Sequence, residues 1–319
     1  MEPSNFTGGP AQLVLTASIA RRYYVDGRSK VEIADEFQLS RFRVARLLAL
    51  ARSSGMVRIE IGYPGGIDLD LSARLQDKLD LRRAIVVDTP EEDPAALRAQ
   101  LGKAAAELLS EIVTTDDVLG LAWARAVSAM TEALTSIARV PVVQLTGALA
   151  RPDVDANSIE LVRNVARLSG GPAYLFYAPL VVPDAAAARI LRQQPEVSEA
   201  IAHFAQITKA VVGLGHWSAD HSTLYDAFDP QARDELERSG VVGDVSGVFV
   251  TSDGESVQST VTERVIAINA EQMRAIDEVI AIPYGLAKVP AVRAAVRGGL
   301  VNGVVTHAPL ARALVGGDA

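Results

Sequence analysis

Apolar residues recur at two different periods along this chain, and the change of period divides it. In QLVLTASIARRYYVDG the stripe Leu13, Ala17, Ala20 and Tyr24 has helical spacing, and Gly27 follows the helix end. Ser29 and Glu32 are spaced as a capping box for a short helix, KVEIADEF. After a turn at Leu39-Ser40, Ser40 caps a third helix, RFRVARLLALARSSG, with Val44, Leu47, Leu48 and Ala51 on one face and Gly55 as its stop. MVRIEIGYP then alternates Val57, Ile59 and Ile61 with Arg58 and Glu60, the pattern of a half-exposed strand standing as a wing beside a helix-turn-helix.

Tyr63-Pro64-Gly65-Gly66 reads as a hinge, which gives domains at 1–62 and 63–319. LDLSARLQDKLDL, near residues 68 to 80, has the spacing of a linker helix that packs chains together and transmits between the domains. From about residue 84 the pattern changes again. AIVVD, DVLGLA, VPVVQLTG, AYLFYAP, KAVVGLG, RVIAI, EVIAIPYG and NGVVTH are strand-like, and helical stretches separate several of them. Near-continuous Val/Ile strands alternating with helices predict an α/β domain with a mainly parallel sheet covered on both faces.

Charge sharpens this division. The chain carries a formal net charge of -8, yet residues 1 to 60 hold nine Lys/Arg and six Asp/Glu, net +3, and the remainder, with 22 basic and 33 acidic residues, is -11. The segment 40–55 has Arg41, Arg43, Arg46 and Arg52 and no acid. A solvated helix face is the ordinary fate of such charge. Two capped helices, a short turn and an alternating strand point instead to DNA, read by the second helix of the motif in the major groove. Ser40, Arg41, Phe42 and Arg43 then stand at the base edges, with Arg46 one turn on. Ser29 and Lys30 are placed for a phosphate. Arg52, near the far end, complements the helix dipole.

Composition excludes other classes. Apolar stretches are broken well short of the ~20 residues of a membrane span. Cysteine is absent, so disulfides and thiolate metal sites are unavailable, in keeping with a cytoplasmic protein. His216, Asp220 and His221 lie close in GLGHWSADH without zinc-ligand spacing and predict a polar loop near a ligand; His203 reads as structural. No metal or cofactor is expected.

The ordered series IARRYYVDGRSKVEIADEFQLSRFRVARLLALARSSGMVRIEI, VQLTGAL, DANSIELVRNVA, YAPLVV, KAVVGLG, GVVGDVSGVFVTSDG and YGLAKVPAVRAAVRGGLVNGVVTH resembles the SorC family of sugar-responsive bacterial transcriptional regulators along nearly the whole chain. The resemblance implies a winged helix-turn-helix followed by a doubly wound, Rossmann-like effector domain similar to glucosamine-phosphate deaminases and ribose-phosphate isomerases. It also implies a homo-oligomer, typically a tetramer, on palindromic operator DNA, with a small carbohydrate at the C-terminal strand ends. Ala124, Arg125, Ala126, Gly147, Asn157, Asp244 and Lys288 occupy the family's effector-site positions. GLAWARAV departs from the usual Gly-x-Ser-Trp-Gly-Arg-Thr: Ala122, Ala124 and Ala126 replace Ser, Gly and Thr, which removes two hydroxyls suited to phosphate. His307 replaces a usual Asp and Tyr284 a usual Gly. Asn157 as a mere helix cap and Lys288 as a solvated helix charge are the plainer alternatives. The rival function is an isomerase, deaminase or Schiff-base aldolase using Lys288 with Asp244 as acid/base, although an enzyme has no need of residues 1 to 61.

Overall fold

The computed structural model describes residues 9–57, 66–89, 93–149 and 158–316. The chain divides into two compact units, Met1–Ile61 and Gly62–Ala319.

The first unit holds three helices, α1 (Pro10–Tyr24), α2 (Lys30–Glu36) and α3 (Arg41–Ser53). The caps form as the sequence predicts. Ser29 Oγ accepts from the Glu32 N–H while Glu32 accepts from the Ser29 N–H, and Ser40 Oγ accepts from the Arg43 N–H at 3.2 Å. Ile19, Ala20, Ile33, Ala34, Val44, Leu47, Leu48 and Ala51 make the core. The expected stripe on α1 needs correction: Leu13 and Ala17 are exposed, and the buried line runs through Thr16, Ile19 and Ala20. Thr16 can take a buried position because its hydroxyl donates to the Gln12 carbonyl at 2.7 Å. The expected wing strand and hinge fall largely on residues 58–65, outside the described residues.

In the second unit, seven strands form one parallel sheet: β1 (Arg83–Val87), β2 (Leu119–Leu121), β3 (Val142–Gln144), β4 (Ala173–Tyr174), β5 (Lys209–Val212), β9 (Glu278–Ala281) and β10 (Gly303–His307). Their order is β1-β10-β9-β5-β2-β3-β4. The chain therefore winds outward from β2 through β3 to β4, then returns to β5 and winds the other way. The switch point of this doubly wound sheet lies between β2 and β5.

Adjacent residues of single strands feed opposite faces. Val211, Ile280 and Val305 pack with α5 (Pro94–Ile112), α6 (Arg125–Ala133) and the helix Ser158–Ser169; Val212, Ala281 and Val304 pack on the other side with α4 (Leu69–Leu79) and the helices Val289–Arg297 and Ala308–Gly316. The stripe of α4 is consumed here. Leu71 and Leu75 enter this unit's own core, and Ser72 Oγ accepts from the Val86 N–H at 2.9 Å, so this face does not join chains.

Two strand-like runs depart from expectation. KAVVGLG breaks at Gly213, where β5 ends and β6 (Leu214–His216) leaves for a separate antiparallel sheet with β7 (Val241–Val245) and β8 (Val248–Thr251). Ser246 and Gly247, both with positive φ (48° and 100°), turn the β7–β8 hairpin. RVIAI makes only isolated bridges, Val265 with Val181 and Ala267 with Thr146, because it crosses loop backbone at the strand ends and not a neighbouring strand. The helix Val289–Arg297 is seated on the hairpin by glycines. A Cβ on Gly243 would stand 2.6 Å from that of Ala291, and one on Gly254 would stand 2.5 Å from the Gly298 nitrogen. No helix among the described residues is long and apolar enough to cross a membrane.

Candidate functional site

On α3, the buried face through Val44, Leu47, Leu48 and Ala51 leaves Phe42, Arg46, Ala49 and Ser53 as the opposite, exposed stripe, with Arg41 and Arg43 exposed beside its N-terminal end. Arg41, Arg43 and Arg46 make no ion pair or side-chain hydrogen bond among the described residues. Of the described acids of the unit, Asp26 and Glu36 pair with Arg22, Glu36 also with Arg28, and Glu32 is held by Ser29, while Asp35 pairs with none of the three arginines. Three arginines on the helix predicted to read bases thus have no ion-pair partner among the described residues. Lys30 lies at the start of α2 with its Nζ 5.6 Å from the Tyr23 ring centroid.

In the second unit, a cavity of about 680 Å³ opens at the C-terminal ends of the strands, across the switch point. Trp123 to Ala126 enter it from the end of β2 and the start of α6, Val212 and Gly213 from β5, Tyr284 and Gly285 from beyond β9, and His307 from β10. The small sheet supplies Gly215, Asp244 and Ser246, the loop after β6 gives Asp220 and His221, and α5 adds Arg98.

Asp244 and Lys288 in this cavity are each held by a neighbour. Ser222 Oγ donates to Asp244 Oδ1 at 2.6 Å, and Lys288 Nζ donates to the Leu214 carbonyl. Burial pushes the Asp244 carboxyl above its ordinary range, opposed by the Ser222 hydrogen bond and the Lys288 charge. Burial also lowers the Lys288 ammonium to about 8, with the Arg125 charge acting in the same direction and Asp244 against it. His307 is lowered by burial as well, and its Nε2 accepts from the Gly285 N–H at 3.0 Å, the arrangement of a neutral imidazole. Gly215 is required at its position because a Cβ there would lie 2.4 Å from Asp244 Oδ1. Tyr284 has its ring centroid 5.3 Å from Lys288 Nζ and 5.7 Å from Arg98 Cζ.

A protein family described as "Putative sugar-binding domain" matches residues 66–316, the unit that carries this cavity. The chain belongs to the SorC family of sugar-binding transcriptional regulators. This SorC-family chain is 29% identical over 294 residues to the transcriptional regulator YjhU of Escherichia coli (strain K12), across 89% of this chain and 88% of that one. It is 27% identical to the deoxyribonucleoside regulator of Bacillus subtilis (strain 168), across 94% and 97% of the two chains. The crystal structure of the full-length sorbitol operon regulator SorC from Klebsiella pneumoniae superposes with a TM-score of 0.73 over 97% of this chain and 100% of that one, at 22% identity, and shows the same fold.

Of the effector positions expected from the SorC resemblance, Ala124, Arg125, Ala126, Asp244 and Lys288 all line the one cavity. Gly147 does not. Its amide donates to the Ile266 carbonyl at 2.8 Å, and a Cβ there would meet the Pro179 carbonyl oxygen at 2.5 Å, so the glycine serves a close backbone crossing, while its neighbour Thr146 faces the cavity. Asn157 lies outside the described residues. Lys288 is no solvated helix charge. Ala124 is the N-cap of α6 and provides no side-chain cap, as the glycine usual at this position would not either. His203 stacks on Tyr174 with centroids 3.4 Å apart, remote from the cavity lining. Sequence reasoning passed over Arg98, Ser222 and Ser246. Arg98 has no signal beyond a charge on an amphipathic helix. Ser246 has one, since Ser-Gly between two β-branched runs is a hairpin turn.

Proposed function

We propose that this chain is a cytoplasmic, homo-oligomeric regulator, tetrameric as the SorC resemblance implies, that binds an inverted-repeat operator and changes its grip when a small carbohydrate enters the cavity of the second unit. The observation that carries this reading is the pairing of two separately built features: an uncompensated arginine face on α3, and a cavity whose carboxylate and ammonium are fixed by neighbours. Arg41, Arg43, Arg46 and Ser40 meet base edges and adjoining phosphates, and Ser29 with Lys30 anchors a phosphate at the start of α2. In the cavity, Asp244 accepts from sugar hydroxyls, Lys288 donates to a sugar oxygen, and Asn157 adds a further hydroxyl partner. The indole Nε1 of Trp123, buried without a partner among the described residues, is a donor that a ligand oxygen would satisfy.

A neutral sugar or polyol suits the site better than a phosphorylated one, because Ala122 and Ala126 stand where the family pattern has the hydroxyls of Ser and Thr. The regulator needs no turnover. For switching, the ligand must prefer one of the DNA-competent and DNA-incompetent arrangements.

A thermal-shift panel of sugars, polyols and sugar phosphates on the full chain tests the reading, followed by mobility shifts on DNA from upstream of its own gene with each hit. A native-state ligand raises Tm and alters the DNA complex. Turnover of a hit, or stabilisation that leaves DNA binding untouched, would refute it.

A further inference from the structure

Phe42 is 89% exposed, and it sits in the second position of α3, between Arg41 and Arg43. A phenylalanine left in water at this level forgoes roughly 1.5–3 kcal/mol of burial. Nothing among the described residues of the first unit covers it, although the same helix buries Val44, Leu47, Leu48 and Ala51 completely or nearly so. Its place is specific: Phe42 heads the stripe Phe42, Arg46, Ala49 and Ser53, directly opposite the buried face. Any surface that meets Arg46 along the axis of α3 therefore meets the Phe42 ring one turn earlier. The cations around the ring, without ion-pair partners among the described residues, require that surface to be anionic.

We propose that the Phe42 side chain reads a thymine in each operator half-site by packing on its C5-methyl group in the major groove. The ring offers neither donor nor acceptor, and of the groups on the major-groove edges only the thymine methyl is apolar. Arg41 and Arg43 hold the flanking backbone or guanines while the ring selects the methylated pyrimidine between them. The inference rests on the operator-binding reading and adds to it a specific base.

The test uses the full chain, without sugar and again with a mixture of pentoses, hexoses and polyols, to select duplexes from a pool with a randomised centre. Each thymine of the selected half-site is then replaced by deoxyuridine, which removes the methyl and nothing else. The expected result for the wild type is one thymine per half-site at which the loss of the methyl weakens binding roughly fourfold, the value of one buried carbon. Phe42→Ala should bind the selected site more weakly, be indifferent to the methyl at that position, and melt at the wild-type temperature because the ring is exposed. Methyl sensitivity that is absent from the wild type, or retained in Phe42→Ala, overturns the proposal while operator binding stands. Failure of the wild type to enrich any sequence overturns both.

Discussion

Replacing Lys288 by methionine keeps the length and apolar stem of the side chain and removes its charge. In the wild type, burial lowers the ammonium from 10.5 to about 8, so between these values the unfolded chain binds a proton that the folded chain has released. The sign follows. Below pH 8 both states carry the charge and the folded state bears the full cost of having buried it; above pH 8 that cost is relieved, and stability rises until pH 10.5. A shift of this size corresponds to about 3 kcal/mol at 1.36 kcal/mol per pH unit, most of it recovered by pH 10. Lys288→Met has no such proton to release. It also leaves the Leu214 carbonyl and the Asp244 carboxylate without their cation, which changes its stability at neutral pH but adds no titration in this window. The assay is urea unfolding of both proteins at pH 7, 8, 9 and 10, followed by tryptophan fluorescence, since Trp123 and Trp217 both report on the second unit. Wild type should gain about 2–3 kcal/mol on Lys288→Met across this range. Parallel profiles would refute the buried-ammonium description of the cavity.

Gly215→Ala places a methyl against Asp244 Oδ1 and Ser222; it should cost about 1–3 kcal/mol in unfolding free energy and abolish the thermal shift given by any cavity ligand. Asp117 is buried, which alone would raise its carboxyl, but hydrogen bonds from Lys209, Thr114 and Thr208 bring it to about 2, so it contributes about 2 kcal/mol above pH 4 that is lost as the pH falls toward 2. Asp117→Asn should therefore remove that part of the acid dependence, as followed by unfolding at pH 2.5 to 6. Arg43→Ala should lower the ratio of specific to non-specific DNA affinity, whereas Lys30→Ala should weaken all DNA alike and reduce the slope of log affinity against log salt by about one; equal effects from both would contradict the division of labour on this unit.

The three N-terminal helices were legible because local signals define them: Ser29 with Glu32, Ser40 with Arg43, and an apolar stripe on α3 with no competing pattern. The α1 stripe was misplaced by one helical position because Leu13 outweighs Thr16 on any apolar count, while the local bond to Gln12 decides the burial of Thr16. Most strands of the parallel sheet could be read from Val/Ile runs, yet the antiparallel sheet could not, because KAVVGLG looks continuous and breaks at Gly213 only through contacts distant in sequence. Residues from α5, β2, β5, the β7–β8 hairpin and β10 meet in the cavity through a strand order that no periodicity encodes. The family resemblance pointed to Asp244 and Lys288, and both line the cavity. Ser222, which positions Asp244, becomes visible only once β6 and β7 lie side by side.

Helix Val289–Arg297 is fastened to the β7–β8 hairpin near both ends, by Gly243 against Ala291 and by Gly254 against Gly298. Lys288 stands at the head of that helix and Asp244 lies on β7, so the cavity's cation and anion ride on two elements packed closely against each other. On the proposed reading, an arriving ligand meets both groups on elements already packed together, each held by a neighbour, Asp244 by Ser222 and Lys288 by the Leu214 carbonyl. Discrimination between candidate ligands would then resemble a gauge with both jaws set beforehand: a molecule whose oxygens match the spacing is held, and one that does not match must bear the cost of moving packed elements.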